Sequence, residues 1–523
     1  MTTTEETKEL LAEAISTLTG KNLFDRLKEL HWQACSSNVA IVYPTENYTA
    51  SGWRDFTIQS NRVVEIMLDA SFGAATYGNS IRLGTNTDFK NFVFKISTNS
   101  ANPPASQFMF FSHYTFNGPS EGMPQPILTK RDIDTGDFRN YSELKSGTYL
   151  LTLKDRTPWT QQTLISNPPF TYRKDILLVK DGIAQNRPIA PYDTMASDPE
   201  WASYRLYQTG QKNIKNVTLM RDIGSIRNVM LLKIINEDNI HIENVTIDFF
   251  NSSPQTLTGD RAIQISDSTN VFLKNININH VFSTENDYGY GINLENVWNV
   301  TVENLNLPYN NPSKPTPIWG VFGNNNVNTI KLVGCHLNRI DIHCYGRDII
   351  CDQCIFEAAN DSTQHNFNRV SSFYGVFRFK GCTFTKFVPI KVDPDYNAFT
   401  GFDVYFEDQC TLTYRSGQYY LLLMYYLRSN INPRPELSQK CWPNVRVESM
   451  QITKNSTSFH IYNLAENAVF SPVGYLSWLN LSGLSFVGSP QPSLSACNRN
   501  VSFAQKVYKT MPGFTDGVYV DSF

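Results

Sequence analysis

The sequence predicts an all-β chain wound into a right-handed parallel β-helix, with a short N-terminal helical cap and a C-terminal closing segment. Three observations predict it. A short alternating pattern recurs through the second half of the chain, each copy pivots on one Asn or Gly, and an extra apolar strand precedes each copy at a fixed distance.

The pattern is plainest from Ile240 to Ile247, where apolar residues alternate, break at Asn244, and alternate again. It returns from Val271 to Ile278, Val300 to Leu307, Ile330 to Leu337, Ile349 to Phe356, Phe377 to Phe384, Val445 to Ile452 and Leu479 to Phe486. Apolar residues at period two define two short strands with one buried face. The residue between them must turn the chain, and Asn and Gly tolerate the left-handed backbone that a one-residue corner needs. The corners at 244, 275, 304, 334, 353 and 381 are separated by 31, 29, 30, 19 and 28 residues, a period that fits one coil of a solenoid with loops of variable length. Weaker copies at Asn216 and Gln409 extend the series, and Phe89 to Phe94 resembles an earlier coil.

The third strand of each coil is marked by Leu232 and Ile234, Ile263 and Ile265, and Ile292 and Leu294, each pair 12 and 10 residues before its corner Asn. An outward column is expected beside them at Lys233, Gln264, Asn293 and Phe322. The position after each corner holds Val245, Ile276, Leu305, Cys335, Cys354, Cys382 and Cys410. Such a column faces inward, so Cys351 and Cys354 are expected to be small core residues despite their Cys-x-x-Cys spacing. No metal and no cofactor is implied. Antiparallel hairpins, the alternative, would need two-residue Asn-Gly turns, which do not recur here.

Residues 1–35 are expected to form a helical cap or anchor, with Leu10, Leu11, Ala14, Ile15 and Leu18 on one apolar face. Residues 36–210 read as early coils with long loops or an inserted subdomain, with weak strands at Tyr149 to Leu153 and Ile176 to Val179. Residues 211–487 are the regular β-helix and 488–523 a separate C-terminal segment.

The chain has 523 residues with 45 Lys plus Arg against 48 Asp plus Glu, a net charge of −3. That balance argues against nucleic acid or an anionic membrane as partner. No apolar run approaches the ~20 residues that span a bilayer. The acidic, polar first residues are not those of a secretory signal. Aromatics at 13% and charged residues at only 18% make a surface of rings, amides and hydroxyls, which suits sugars.

The coils with Asn corners, over about residues 210 to 490, are similar to the pectin-lyase-like β-helix superfamily. The absent signal sequence and the short N-terminal helix resemble phage tailspikes more than secreted pectinases. That resemblance implies a homotrimer on the virion tail that acts outside the host cell and depolymerises capsule or O-antigen, with an N-terminus that meets a tail adaptor. It is a resemblance of architecture, and no family's catalytic residues transfer.

Loops between coils are the expected site walls. Arg261, Tyr290 and Trp319 fall close together on successive coils, and with Tyr288 they form a candidate sugar platform. Hydrolysis of a glycosidic bond needs two carboxyls flanking it. Asp260, Glu285, Asp287 and Asp341 are the candidates, although loop acids are ordinarily just solvated. An endo-acting glycoside hydrolase is the first expectation. A lyase that works by β-elimination is the alternative, with His343 as base, and a glycan-binding receptor protein without catalysis is the third reading.

Overall fold

The structure is a computed structural model. It describes residues 41–43, 56–57, 63–68, 81–82, 86–98, 107–113, 128–161, 170–189, 201–208, 212–221, 229–249, 261–279, 290–307, 322–357, 367–392, 399–414, 419–424, 443–453, 457–464, 473–474, 479–488, 492–498 and 502–503.

The alternating segments stack into one sheet of 28 described strands, in which all the described pairings are parallel. The chain is a parallel β-helix. Strand Arg261–Ile278 lies on Tyr290–Leu307 with Ile263 opposite Ile292, Val271 opposite Val300 and Ile276 opposite Leu305. Leu232 is in turn opposite Ile263, so the third strand stacks as its spacing predicts. Each of these long strands bends at residues with positive φ, namely Asp267, Asn270 and Asn275 in one coil and Asn296, Asn299 and Asn304 in the next. These bends divide a coil into three strands.

The corners Asn216, Asn244, Asn275, Asn304, Gly334, Gln353, Gly381 and Gln409 all have φ between 52° and 63°. A side-chain ladder runs along them. Asn244 Nδ2 donates to Asn216 Oδ1 at 2.9 Å, Asn275 to Asn244 at 2.9 Å and Asn304 to Asn275 at 3.1 Å. Asn therefore serves twice, by accepting the left-handed backbone and by presenting a donor and an acceptor to its neighbours.

Behind the corners the column Val245, Ile276, Leu305, Cys335, Cys354, Cys382 and Cys410 is no more than 1% exposed. The Cys thiols face the core and reach backbone carbonyls, Cys382 Sγ lying 3.3 Å from the Cys351 oxygen. Burial contributes to holding the Cys410 thiol up at about 11, in its protonated form. Further along, phenylalanines fill the same interior, Phe379 stacking on Phe406 at 5.3 Å and Phe356 on Phe384 at 5.2 Å.

Outward columns have their own chemistry. Asp88, Lys215, Glu243, Lys274 and Glu303 stand opposite one another on successive coils, and after Val333 the row continues Asp352, Lys380, Glu407. Opposite charges from Lys215 to Glu303, and again from Asp352 to Glu407, favour this register over a slip.

Residues 148–208 hold a second sheet, four antiparallel strands in the order Trp201–Gln208, Thr148–Gln161, Phe170–Lys180, Ile183–Ala184. The short helix Lys130–Thr135 packs beside it, closed by a Thr129 capping box and by Gly136 at φ 69°. Leu150, Ile176 and Leu178 pack on Trp298 of the β-helix. Lys174 pairs with Glu295 at 3.1 Å, and Arg347 donates to the carbonyls of Pro188 and Ile189 at 3.3 and 3.1 Å.

The expected N-terminal helix and the range 1–35 lie outside the described residues. At the other end, strand Ser493–Cys497 stacks on Ser458–Leu464, so the coils continue past the boundary expected at 487. Among the described residues no helix is long and apolar enough to cross a membrane.

Candidate functional site

The third strand of each coil carries the outward column of interest, and its register is one residue from that expected at one coil. Lys233, Gln264 and Asn293 are followed by Gly323, then by Asp341, Arg369, Lys391, Leu423 and Asn463. Phe322, expected in this row, instead stands opposite Ile292 and is fully buried in the core. Alternation makes this inevitable, because a one-residue slip exchanges the two faces of a strand.

Gly323 opens the site. A Cβ there would lie 2.4 Å from the Tyr290 ring, so only the missing side chain lets that ring cross the coil. The Tyr290 hydroxyl thereby reaches Asp341 Oδ2 at 3.3 Å and also meets His343 Nε2. The two rings stand edge to face, with centroids 5.8 Å apart.

His343 arrives by a backbone irregularity. Asn324 stands opposite Ile342 but Asn325 stands opposite Cys344, which leaves His343 as the extra residue of a bulge. A bulge re-aims a side chain without breaking the sheet. The His343 side chain keeps 16% of its surface exposed, whereas that of Asp341 has none.

Asp341 is the hub. Its Oδ2 lies 3.2 Å from His343 Nε2 and 3.3 Å from the Arg339 guanidinium, and its Oδ1 lies 3.6 Å from Arg369. Burial by itself pushes a carboxyl pKa up. Here the charges of Arg339 and Arg369, with a hydrogen bond from His343, outweigh burial and hold it well below the ordinary carboxylate range. Asp341 is ionised at neutral pH.

The cluster is cationic as a whole. Arg339 and Lys391 both sit over the Phe367 ring, at 4.8 and 4.5 Å from its centroid. Arg339 and Arg369 thus flank the Asp341 carboxylate, and Lys391 shares the Phe367 ring with Arg339. The Arg339 and Arg369 side chains are 3% and 2% exposed, and Lys391 is the half-buried cation that reaches the surface.

Of the residues expected at the site, the structure brings together Tyr290, Asp341 and His343. It also places Arg261 opposite Tyr290 on the preceding coil. Asp260, Glu285, Asp287, Tyr288 and Trp319 lie outside the described residues. Sequence reasoning missed Arg339, Arg369, Lys391 and Gly323. A parity signal was available, since Ile340 and Ile342 stand 13 and 11 residues before Gln353 rather than 12 and 10. That extra residue is the bulge.

Fold and site together define a parallel β-helix with a buried Arg–Asp–Arg cluster that supports a Tyr–His pair at its edge. Among solved structures the chain is similar to the tailspike of Pseudomonas phage phi297, with a TM-score of 0.41 and 9% identity over 90% of this chain and 75% of that one. No protein-family model and no curated protein matches.

Proposed function

We propose that this chain recognises and cleaves an acidic bacterial surface polysaccharide, and that it does so by β-elimination at His343. The observation that supports this most is the His343 ring, held at Nε2 by Tyr290 and by the ionised Asp341 while part of it stays exposed. A ring so oriented, with a carboxylate to balance the charge it acquires, is suited to proton abstraction. His343 takes the proton at C5 of a uronate, a C4=C5 double bond forms, and the C4–O bond breaks. The leaving oxygen takes the proton back from His343. Tyr290 and Asp341 are positioning residues, and Lys391 offers its charge to a sugar carboxylate further along the face.

Hydrolysis would ask for two carboxyls beside the scissile bond, one of them protonated. Asp341 is ion-paired and buried, so it is suited to supporting His343 rather than to donating a proton. Asp260, Glu285 and Asp287 are the residues a hydrolytic reading would use. The tailspike reading also carries assembly as a trimer, a place on the virion tail and an N-terminal adaptor contact, which light scattering of the purified chain and of virions would address.

The test uses purified capsular and O-antigen polysaccharides, acidic and neutral, with wild type, His343→Ala and Tyr290→Phe. The expected result is chain shortening of an acidic polymer with ultraviolet-absorbing unsaturated ends, lost in His343→Ala. Shortening with new reducing ends and no such absorbance would make the chain a hydrolase. Binding without shortening of any polymer would make it a receptor protein.

A further inference from the structure

A second pair of reactive side chains stands on the same face, four coils beyond Asp341. Strand Ser458–Leu464 carries His460 opposite Tyr420 on one side and opposite Ser495 on the other. Ser495 Oγ lies 2.6 Å from His460 Nδ1. The two residues are in register on adjacent parallel strands, and the His460 amide is fixed by a 2.8 Å bond to the Tyr419 carbonyl. The sheet itself therefore sets the distance between the hydroxyl and the imidazole.

We propose that Ser495 and His460 form a nucleophile–base dyad that hydrolyses ester-linked acyl groups. A serine hydroxyl becomes a useful nucleophile when a neutral imidazole accepts its proton, and hydrogen-bond contact between the two is the structural requirement. Both side chains are half-buried, so a small acyl group can reach them. Desolvation lowers the His460 pKa and so favours the neutral ring that a base must be. Ser495 Oγ also lies 3.2 Å from the Cys497 carbonyl, but its single proton goes to one acceptor at a time, and the imidazole is nearer.

The step balances with water alone. Ser495 Oγ adds to the ester carbonyl as His460 Nδ1 takes its proton, and the alcohol oxygen leaves with that proton. Water then attacks the acyl-enzyme, giving its proton to His460, which returns it to Ser495 as the acid departs.

The column Asp341, Arg369, Lys391, Leu423, Asn463 runs unbroken from the first site to the strand that carries His460. Four strand spacings of about 4.8 Å put the strand that carries His460 about 19 Å along the stack from the strand of Asp341, a span of a few sugar units. O-acylated sugars of the same polymer are thus the substrate class, an assignment that rests on the proposed function. The dyad does not.

The full chain is treated with a fluorophosphonate serine probe, and the labelled peptide is identified by mass spectrometry. Acetate release is then followed from p-nitrophenyl acetate and from an O-acetylated capsular polysaccharide. The expected result is labelling at Ser495 and acetate release from both esters, each abolished in Ser495→Ala and lowered about 10²-fold or more in His460→Ala. Acetate release should persist in His343→Ala, which loses chain cleavage, so the two sites fail separately. A wild-type chain whose Ser495 is not labelled overturns the dyad, as does a Ser495→Ala variant that hydrolyses p-nitrophenyl acetate at the wild-type rate. Release from the small ester alone would remove the polymer as substrate and leave the dyad standing.

Discussion

Tyr290 and Asp341, 51 residues apart in the chain, meet at 3.3 Å across the coil between them, because that coil offers Gly323 at the crossing point. Arg261 and Tyr290 are neighbours by register, whereas Tyr290 and Asp341 are neighbours by reach. The site therefore depends on one absent side chain as much as on the side chains present.

Gly323→Ala should separate those contributions. Its φ is not in the left-handed region, so the backbone tolerates Ala, and the effect comes from the ring it displaces. Overpacking should cost about 1–3 kcal/mol in urea unfolding. Polymer cleavage should fall at least as far as in Tyr290→Phe. In a Tyr290→Ala background the same substitution should cost little, since the clash has gone; full additivity of the two would refute the crossing-ring account.

Asp341→Asn should show a pH-dependent defect. The folded carboxyl titrates below its unfolded value of about 3.9, so its ionisation stabilises the fold fully above about pH 4. That contribution is lost as pH falls through the folded value. Removing the charge strands two guanidiniums and should cost about 3–5 kcal/mol at pH 7. The gap between variant and wild type should narrow as the pH is lowered below about 4. A gap independent of pH would mean that the carboxylate's charge is not what matters.

The Asn ladder can be dissected at Asn275, which donates to Asn244 and accepts from Asn304 at φ 52°. Asn275→Ala loses both bonds and keeps a Cβ in the left-handed region without the polar side chain that offsets it, where an L residue costs roughly 1–2 kcal/mol. Asn275→Gly loses the same bonds but carries no Cβ, so the left-handed backbone costs it little. Thermal unfolding should rank wild type, Gly, then Ala in falling stability, and equal losses in both variants would assign the whole effect to hydrogen bonding.

Lys274→Glu would place like charges side by side in the row that contains Glu243 and Glu303. The expected loss is about 0.5–2 kcal/mol from the two cross-strand pairs together. Because these side chains are half-buried, added salt should recover part of it. A loss unchanged by salt would point to packing of the lysine stem instead.

The local pattern was enough to read the repeat, the corners and the inward column. Asn244, Asn275 and Asn304 announce positive φ by residue type, and Val245, Ile276 and Leu305 announce burial by parity, because both signals act within a few residues. Tyr290, Asp341 and His343 could be nominated only as residues of the loops expected between coils, whereas the structure places them on the strands Tyr290–Leu307 and Ile340–Asp352. What tertiary structure alone decided was which of them meet. The coil that ends at Gln353 is only 19 residues long from corner to corner and contains a bulge, so Asp341 takes the outward row and His343 is turned beside it. A one-residue difference in count sends Phe322 inward and leaves Gly323 in the gap. Arg339 and Arg369 become partners of one carboxylate only when successive coils stack. Periodicity fixes the face a side chain takes, whereas the length of each loop and the reach of each side chain across the stack determine its neighbours.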